Sequence, residues 1–143
     1  MIRLLIDTNI ILDLLAKREE FYTEAAQLFS LADVGFLTLT TSSLTFVNTH
    51  YILSKIRSKS EAKEVIRKFK VLIETLALND KILDLALNED DFTDFEDAIQ
   101  YYTAIENKID IIITRNIKDF KNSSIPALTA KEFLLRPEFK TTP

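Results

Sequence analysis

The sequence predicts an α/β fold: a three-layer α/β/α sandwich, with a small, mostly parallel central sheet covered by helices on both faces. Three observations carry this prediction. Short apolar runs with strand character alternate with longer amphipathic stretches along the chain, the order that parallel crossovers require. The first run, Arg3-Leu4-Leu5-Ile6, ends on a lone carboxylate, Asp7, and a second apolar run starts at Ile10. The second half repeats the arrangement, with Asp110-Ile111-Ile112-Ile113 leading into Thr114-Arg115-Asn116. A sheet buried on both faces reads as continuous apolar strands, and it delivers polar residues at its carboxyl edge.

Each element follows from its own pattern. Residues 2–6 form a short buried strand and 9–15 the helix after it. Phe21, Ala25, Leu28, Phe29 and Ala32 recur at helical spacing, so residues 20–33 are a second helix, ended by Gly35. Residues 36–39 make a strand, and Thr40 to Ser43 a polar turn. Phe46, Val47, Tyr51 and Ile52 line one face of a third helix that runs to Ile56. Ser58-Lys59-Ser60-Glu61 has capping-box spacing and opens a fourth helix to about Lys70. Residues 71–75 form a strand and 79–88 a helix. Thr93-Asp94-Phe95-Glu96 is a second capping box with Thr93 as the cap, and the helix after it turns Ala98, Tyr101, Tyr102 and Ile105 inward. Ile111–Ile113 is the strongest strand of the second half. Asn116 and Asp119 have the spacing of a cap and its third helical residue, which makes one short helical turn pinned by Phe120. Thr129-Ala130-Lys131-Glu132 caps a last short helix. The expectation is a single domain over residues 1–143, with a tail that frays from about residue 136.

Composition narrows the function. Apolar residues make up 47% of the 143 residues, enough for a sizeable core, and charged residues make up 28%. The absence of Cys excludes disulfides and thiolate chemistry, and a single Gly excludes the usual Gly-rich phosphate loops. No apolar run is long enough to span a bilayer, and Asp7 and Asp13 interrupt the first apolar stretch. Neither a membrane span nor a signal peptide is expected, and the expected location is the cytoplasm. A net charge of -4, from 22 acids against 18 bases, offers no broad basic face for nucleic acid. It leaves room for a nuclease, because a metal ion brings positive charge to where a phosphate must sit.

Several carboxylates need an explanation. Asp7 lies where the first strand leaves the sheet, and a carboxylate buried there is costly without a metal ion or helix N–H groups to hold it. It could simply cap the next helix, a task that Thr8 or Asn9 could do as well. Asp13, about one and a half turns on, reads as solvent-facing or structural. Asp94, Glu96 and Asp97 crowd one helix N-terminus, where the helix dipole favours acids. Capping accounts for Glu96 and Asp94 better than for Asp97, which adjoins the buried stripe and calls for a metal or metal-bound water. Thr114, Asn116 and Asp119 follow a strand that would end at the same sheet edge as Asp7. Arg115 beside them reads as a phosphate contact or a surface residue. His50, the one histidine, reads as structural or surface.

Taken in order, Ile6-Asp7-Thr8-Asn9, Asp94-Phe95-Glu96-Asp97-Ala98 and Ile113-Thr114-Arg115-Asn116-Ile117-Lys118-Asp119-Phe120 resemble the PIN domain family, over about residues 2–134. The resemblance implies a parallel α/β/α sandwich and an Mg²⁺- or Mn²⁺-dependent endoribonuclease. For many bacterial and archaeal members it also implies the toxin half of a toxin–antitoxin pair. It implies that Asp7 is the first metal-binding acid, with Thr8 and Asn9 as its supporting polar pair on the substrate side. Asp97 would be the third-position acid and Thr114 the hydroxyl at the strand end. Asn116 stands where many members have an acid, and Asp119 is the nearby acid that could serve instead. Members commonly place a Glu in the middle helix, but the stretch Thr41 to His50 contains no acid, and Asn48 is the nearest equivalent by register. An amide ligates through oxygen but brings no charge.

The implied site is therefore Asp7, Asp97 and Asp119, with Asn116 and Asn48 as auxiliary ligands, Thr114 as an orienting group, and Thr8, Asn9 and Arg115 towards RNA. The implied reaction is metal-assisted hydrolysis of an RNA phosphodiester. The alternative is a PIN-like scaffold, weakened in catalysis, that binds RNA or a protein. The expected partners are RNA, a small antitoxin and a second copy of the chain. The two proteins would cover the apolar helical faces of residues 20–33 and 43–56. A phosphatase of the haloacid dehalogenase kind would need an acid at position 9, where Asn9 stands.

Overall fold

A computed structural model describes residues 1–92 and 94–137. The first apolar run becomes β1 (Ile2–Ile6), the central strand of a five-stranded sheet. On one side lie β2 (Leu37–Ser42) and β3 (Glu74–Leu76), and on the other β4 (Ile111–Ile113) and β5 (Ala127–Leu128). The order is β3-β2-β1-β4-β5, and every pairing among the described residues is parallel. The chain builds outward from β1 through β2 to β3, then crosses back to start β4 on the other side of β1. That reversal makes the carboxyl edge between β1 and β4 a topological switch point, where open α/β sheets form their ligand crevices. Leu4, Leu5 and Ile6 pair with Ile111, Ile112 and Ile113, so Asp7 and Thr114 leave the sheet side by side.

Seven α-helices cover the sheet among the described residues: α1 (Thr8–Leu15), α2 (Tyr22–Asp33), α3 (Ser43–Ile56), α4 (Lys59–Lys70), α5 (Asp80–Leu87), α6 (Phe95–Glu106) and α7 (Ala130–Leu134). A 3₁₀ turn, Ile117–Phe120, follows β4. Strand side chains alternate between faces, so the apolar runs serve two cores. Leu4, Ile6, Leu39 and Ile113 pack with Leu28 of α2, Phe69 of α4 and Phe133 of α7. Leu5 and Ile112 pack on the other face with Ile82 of α5, Ile99 of α6 and Phe120. A smaller cluster of Leu12, Leu53 and Ala62 joins α1, α3 and α4. None of the described helices is long and apolar enough to cross a membrane.

Local signals explain most of the boundaries. Gly35 follows α2 at φ +87°, the left-handed conformation that stops a helix at little cost to glycine. Ser58 accepts from the Glu61 N–H, and Thr129 forms a complete capping box with Glu132. Asp94, rather than Thr93, is the residue that caps α6, accepting from the Glu96 N–H at 2.9 Å. Thr93 lies outside the described residues, as do residues 138–143 of the tail expected to fray.

Several expectations about burial and strands are corrected. Thr40, Thr41 and Ser42, read as a polar turn, are fully buried in β2. Their hydroxyls have partners there: Thr40 Oγ1 donates to the Leu4 carbonyl and Thr41 Oγ1 to the Ile6 carbonyl, each at 2.9 Å, while Ser42 Oγ accepts from the Leu44 N–H. A bonded hydroxyl tolerates burial where a bare one would not. Replacing Thr41 with Val should therefore cost about 1 kcal/mol in denaturant unfolding, and a loss near zero would show the bond to be dispensable.

The buried face of α3 is Thr45, Thr49 and Leu53, while Val47 and Tyr51 point outward. On α6, Ile99, Gln100, Thr103 and Ala104 are buried and Ile105 is exposed. Thr45 Oγ1 lies 3.4 Å from Thr8 Oγ1 and accepts from Gln100 Nε2 at 3.2 Å, so small polar side chains let α1, α3 and α6 converge. The strand expected at residues 71–75 is confined to Glu74–Leu76, and the two-residue β5 carried too little pattern to be predicted.

Candidate active site

The β1–β4 switch point is built around one carboxylate. Asp7 is the N-cap of α1, and its Oδ1 accepts from the Thr8 N–H at 2.7 Å. Its Oδ2 accepts from Thr114 Oγ1 at 2.8 Å, and its own N–H donates to the Ile113 carbonyl at 3.0 Å. Thr114 is fully buried, and its hydroxyl also accepts from the Asn116 N–H at 3.0 Å. A single hydroxyl thus links the two strand ends and fixes the Asp7 rotamer. Burial pushes the Asp7 carboxyl above its ordinary value; the Thr114 and Thr8 hydrogen bonds oppose this, the Asp119 charge adds to it, and Arg115 opposes it.

Asp97 is half-buried on the first turn of α6 and lines a cleft with Asp119 of the turn that follows β4. Burial, then the charges of Asp94, Asp119, Asp7 and Glu96, push its carboxyl from 3.8 up to about 7. The folded chain therefore holds a proton there that the unfolded chain has already released. For this group, stability is greatest below about pH 4, falls as pH rises towards about 7, and is flat above that. In metal-free thermal melts, the advantage of Asp97→Asn over the parent should grow across that interval. A pH-independent difference would show that Asp97 titrates normally.

The remaining candidates separate. Asp119 is exposed on the 3₁₀ turn, which buried Phe120 pins to the core. It shares a cleft of about 380 Å³ with Asp94, Asp97 and Lys118. Asn116 lines a neighbouring cleft of about 440 Å³ with Asp13, Phe21 and Arg115, while its backbone N–H serves Thr114. Thr8 is buried with its hydroxyl against Thr45, and Asn9 is half-buried. Arg115 places Nε 3.0 Å from Asp13 Oδ2 and its guanidinium 4.2 Å above the Phe21 ring, so it is engaged within the framework. Asp13 itself is not solvent-facing. It is 1% exposed, with Arg18 Nη1 3.6 Å from its other oxygen, because α1 turns this face towards the loop after β4.

Asn48 reaches the site in an unexpected way: its Nδ2 donates to Glu96 Oε1 at 2.6 Å. Glu96, read from sequence as a capping residue, has its carboxyl raised by burial and by the charges of Asp94 and Asp7. The available signal was an excess of acids: Asp94 alone caps α6, so two further carboxylates within three residues had no capping task.

The donor set suits a hard divalent cation. Among the described residues no three acidic or histidine side chains are gathered closely enough to enclose a metal on their own. Mg²⁺ does not need such a cage, since it takes one or two carboxylates and keeps waters and substrate phosphates as its other ligands. The mutual repulsion of Asp97 with Asp94, Asp119, Asp7 and Glu96 is what such an ion would relieve.

The PIN domain family model matches residues 3–118. This chain belongs to the PIN domain family. The matched span includes Asp7, Asp97, Thr114 and Asn116 and ends one residue before Asp119. This PIN domain is 29% identical over 137 residues to ribonuclease VapC1 of Aquifex aeolicus (strain VF5), a match that covers 94% of each chain. Its fold is similar to that in the structure of VapBC2 from Rickettsia felis bound to a DNA fragment from their promoter, with a TM-score of 0.68 and 21% identity over 89% of this chain and 97% of that one. A toxin–antitoxin complex from Klebsiella pneumoniae is also similar, with a TM-score of 0.65 and 23% identity over 88% of this chain and 96% of that one. At these identities the two structures speak to the fold, and they agree with the parallel α/β/α sandwich.

Proposed function

We propose that this PIN domain is an endoribonuclease, dependent on Mg²⁺ or Mn²⁺, and the toxin of a toxin–antitoxin pair. The observation that carries the reading is Asp7 at the switch point, held by Thr114 Oγ1 and the Thr8 N–H, with Asp97 and Asp119 close enough for their charges to act on one another. Family membership supports it, as does the likeness to a ribonuclease along almost the whole chain. Such a cation supplies Lewis acidity and a water activated near neutral pH. Asp7, Asp97 and Asp119 would hold it. Thr114 fixes the orientation of the Asp7 carboxylate and removes the need for it to search rotamers, and the Asn116 N–H fixes Thr114 in turn. The RNA phosphate would enter over the open carboxyl edge.

The proposed protein partners are a small antitoxin and a second copy of the chain. The outward face of α3 offers Val47 and Tyr51, 66% and 61% exposed, as apolar surface for a protein to cover. The test of function is incubation of a mixed RNA pool with Mg²⁺, with Mn²⁺ and with a chelator. Internal cleavage with either metal and none with the chelator is the expected result. No cleavage under either metal, together with no Mn²⁺ binding in calorimetry, would favour the scaffold reading that Asn48 suggests.

A further inference from the structure

We propose that Glu96, anchored by Asn48, supplies the carboxylate that the middle helix lacks, so that the charge reaches the site from α6 instead of α3. This rests on the metal-site reading above and extends it to two residues that the reading left without a role.

The geometry separates Glu96 from ordinary helix capping. Asp94 already accepts from the Glu96 N–H, and the acid that would close a capping box on Asp94 is the third helical residue, Asp97. The Glu96 side chain is bonded elsewhere: its Oε1 accepts from Asn48 Nδ2 at 2.6 Å, across helices and 48 positions along the chain. A short bond from a neutral amide to a carboxylate is charge-assisted and holds one oxygen in a defined place. It leaves Oε2 for an ion or for a water that an ion holds. Glu96 is the neighbour of Asp97 on the first turn of α6, and the Asn48 bond ties it to α3.

The residue types at 48 and 96 are complementary. A carboxylate at 48 opposite Glu96 would put two like charges at hydrogen-bond distance. An amide at 48 removes that repulsion and supplies the donor that a carboxylate cannot. One carboxylate and one amide across this gap give the same net charge whichever helix carries the acid. Asn48 is on this view a positioning residue.

The test is Mn²⁺ binding followed by the paramagnetic signal of the free ion, on the parent chain, Glu96→Gln, the exchange variant Asn48→Glu/Glu96→Gln, and Asp7→Asn. Gln keeps the size of Glu96 and an acceptor for Asn48 Nδ2, so Glu96→Gln should melt close to the parent, and Glu96→Ala provides a second variant that removes the carboxylate. Glu96→Gln should weaken Mn²⁺ binding about tenfold or more. The exchange variant, which restores both the charge and the hydrogen bond with donor and acceptor swapped, should return to within about threefold of the parent. Binding in Glu96→Gln as tight as in the parent, with binding lost in Asp7→Asn, overturns this proposal and leaves the metal site standing. An exchange variant no better than Glu96→Gln also overturns it. A parent chain that binds no Mn²⁺ overturns both.

Discussion

Asp7→Asn should abolish RNA cleavage while leaving the fold as stable as the parent, or more so. The loss should be about a thousandfold or greater, since removing a metal-holding carboxylate forfeits several kcal/mol of transition-state stabilisation. Stability should move the other way. Asn caps a helix as well as Asp, so acceptance from the Thr8 N–H survives. The amide can donate to Thr114 Oγ1 where the carboxylate accepted. Burial is the largest influence on the Asp7 carboxyl and raises it, so a neutral side chain escapes that cost. Initial cleavage rates and thermal melts of the same preparation check both halves. A variant that melts well below the parent would mean that Asp7 is there for structure. Full activity in a well-folded variant would remove it from the site.

Arg115→Ala should destabilise the fold by about 3 kcal/mol, the largest stability effect expected from a single charged side chain here. Its Nε lies 3.0 Å from Asp13 Oδ2, and Asp13 is 1% exposed. The contact is an ion pair. Arg18, at 3.6 Å, is the one other cation paired with Asp13 among the described residues. Burial holds the Asp13 carboxyl above its ordinary value even with both arginines present, so removing the nearer one leaves a charge poorly compensated. Adding Asp13→Asn to Arg115→Ala should recover more than half of the loss, and chemical denaturation of the four chains in that cycle measures it. A loss below about 1 kcal/mol for Arg115→Ala would show that the pair contributes little, as many partly exposed pairs do. Arg115 stands between Thr114 and Asn116, so a displaced side chain should also loosen the hydroxyl that orients Asp7.

The sequence by itself determined the parallel α/β architecture, the order of its main elements and the place of Asp7 at the end of β1. Those signals are local: an apolar run fixes a buried strand, a Ser or Thr three residues before Glu marks a helix start, and a carboxylate after β1 must lie at the carboxyl edge of a parallel sheet. Only the tertiary structure decided the company each polar side chain keeps. Asp13 and Arg115 are far apart in sequence, and nothing in either segment reveals that α1 meets the loop after β4. Thr40 and Thr41 read as a turn because hydroxyls favour water, yet carbonyls of β1 satisfy them inside the sheet. Val47 and Tyr51 read as one apolar face with Phe46 and Ile52, yet Thr45 and Thr49 are the buried residues, because small side chains let α3 approach its neighbours. Asn48 and Glu96 show the same limit: the sequence reads one as an auxiliary ligand and the other as a cap, and their bond exists because α3 and α6 meet. Periodicity and capping act over a few residues and are written in the local sequence. Ion pairs, buried hydrogen bonds and shared carboxylate charge act between elements, and they are settled when those elements pack.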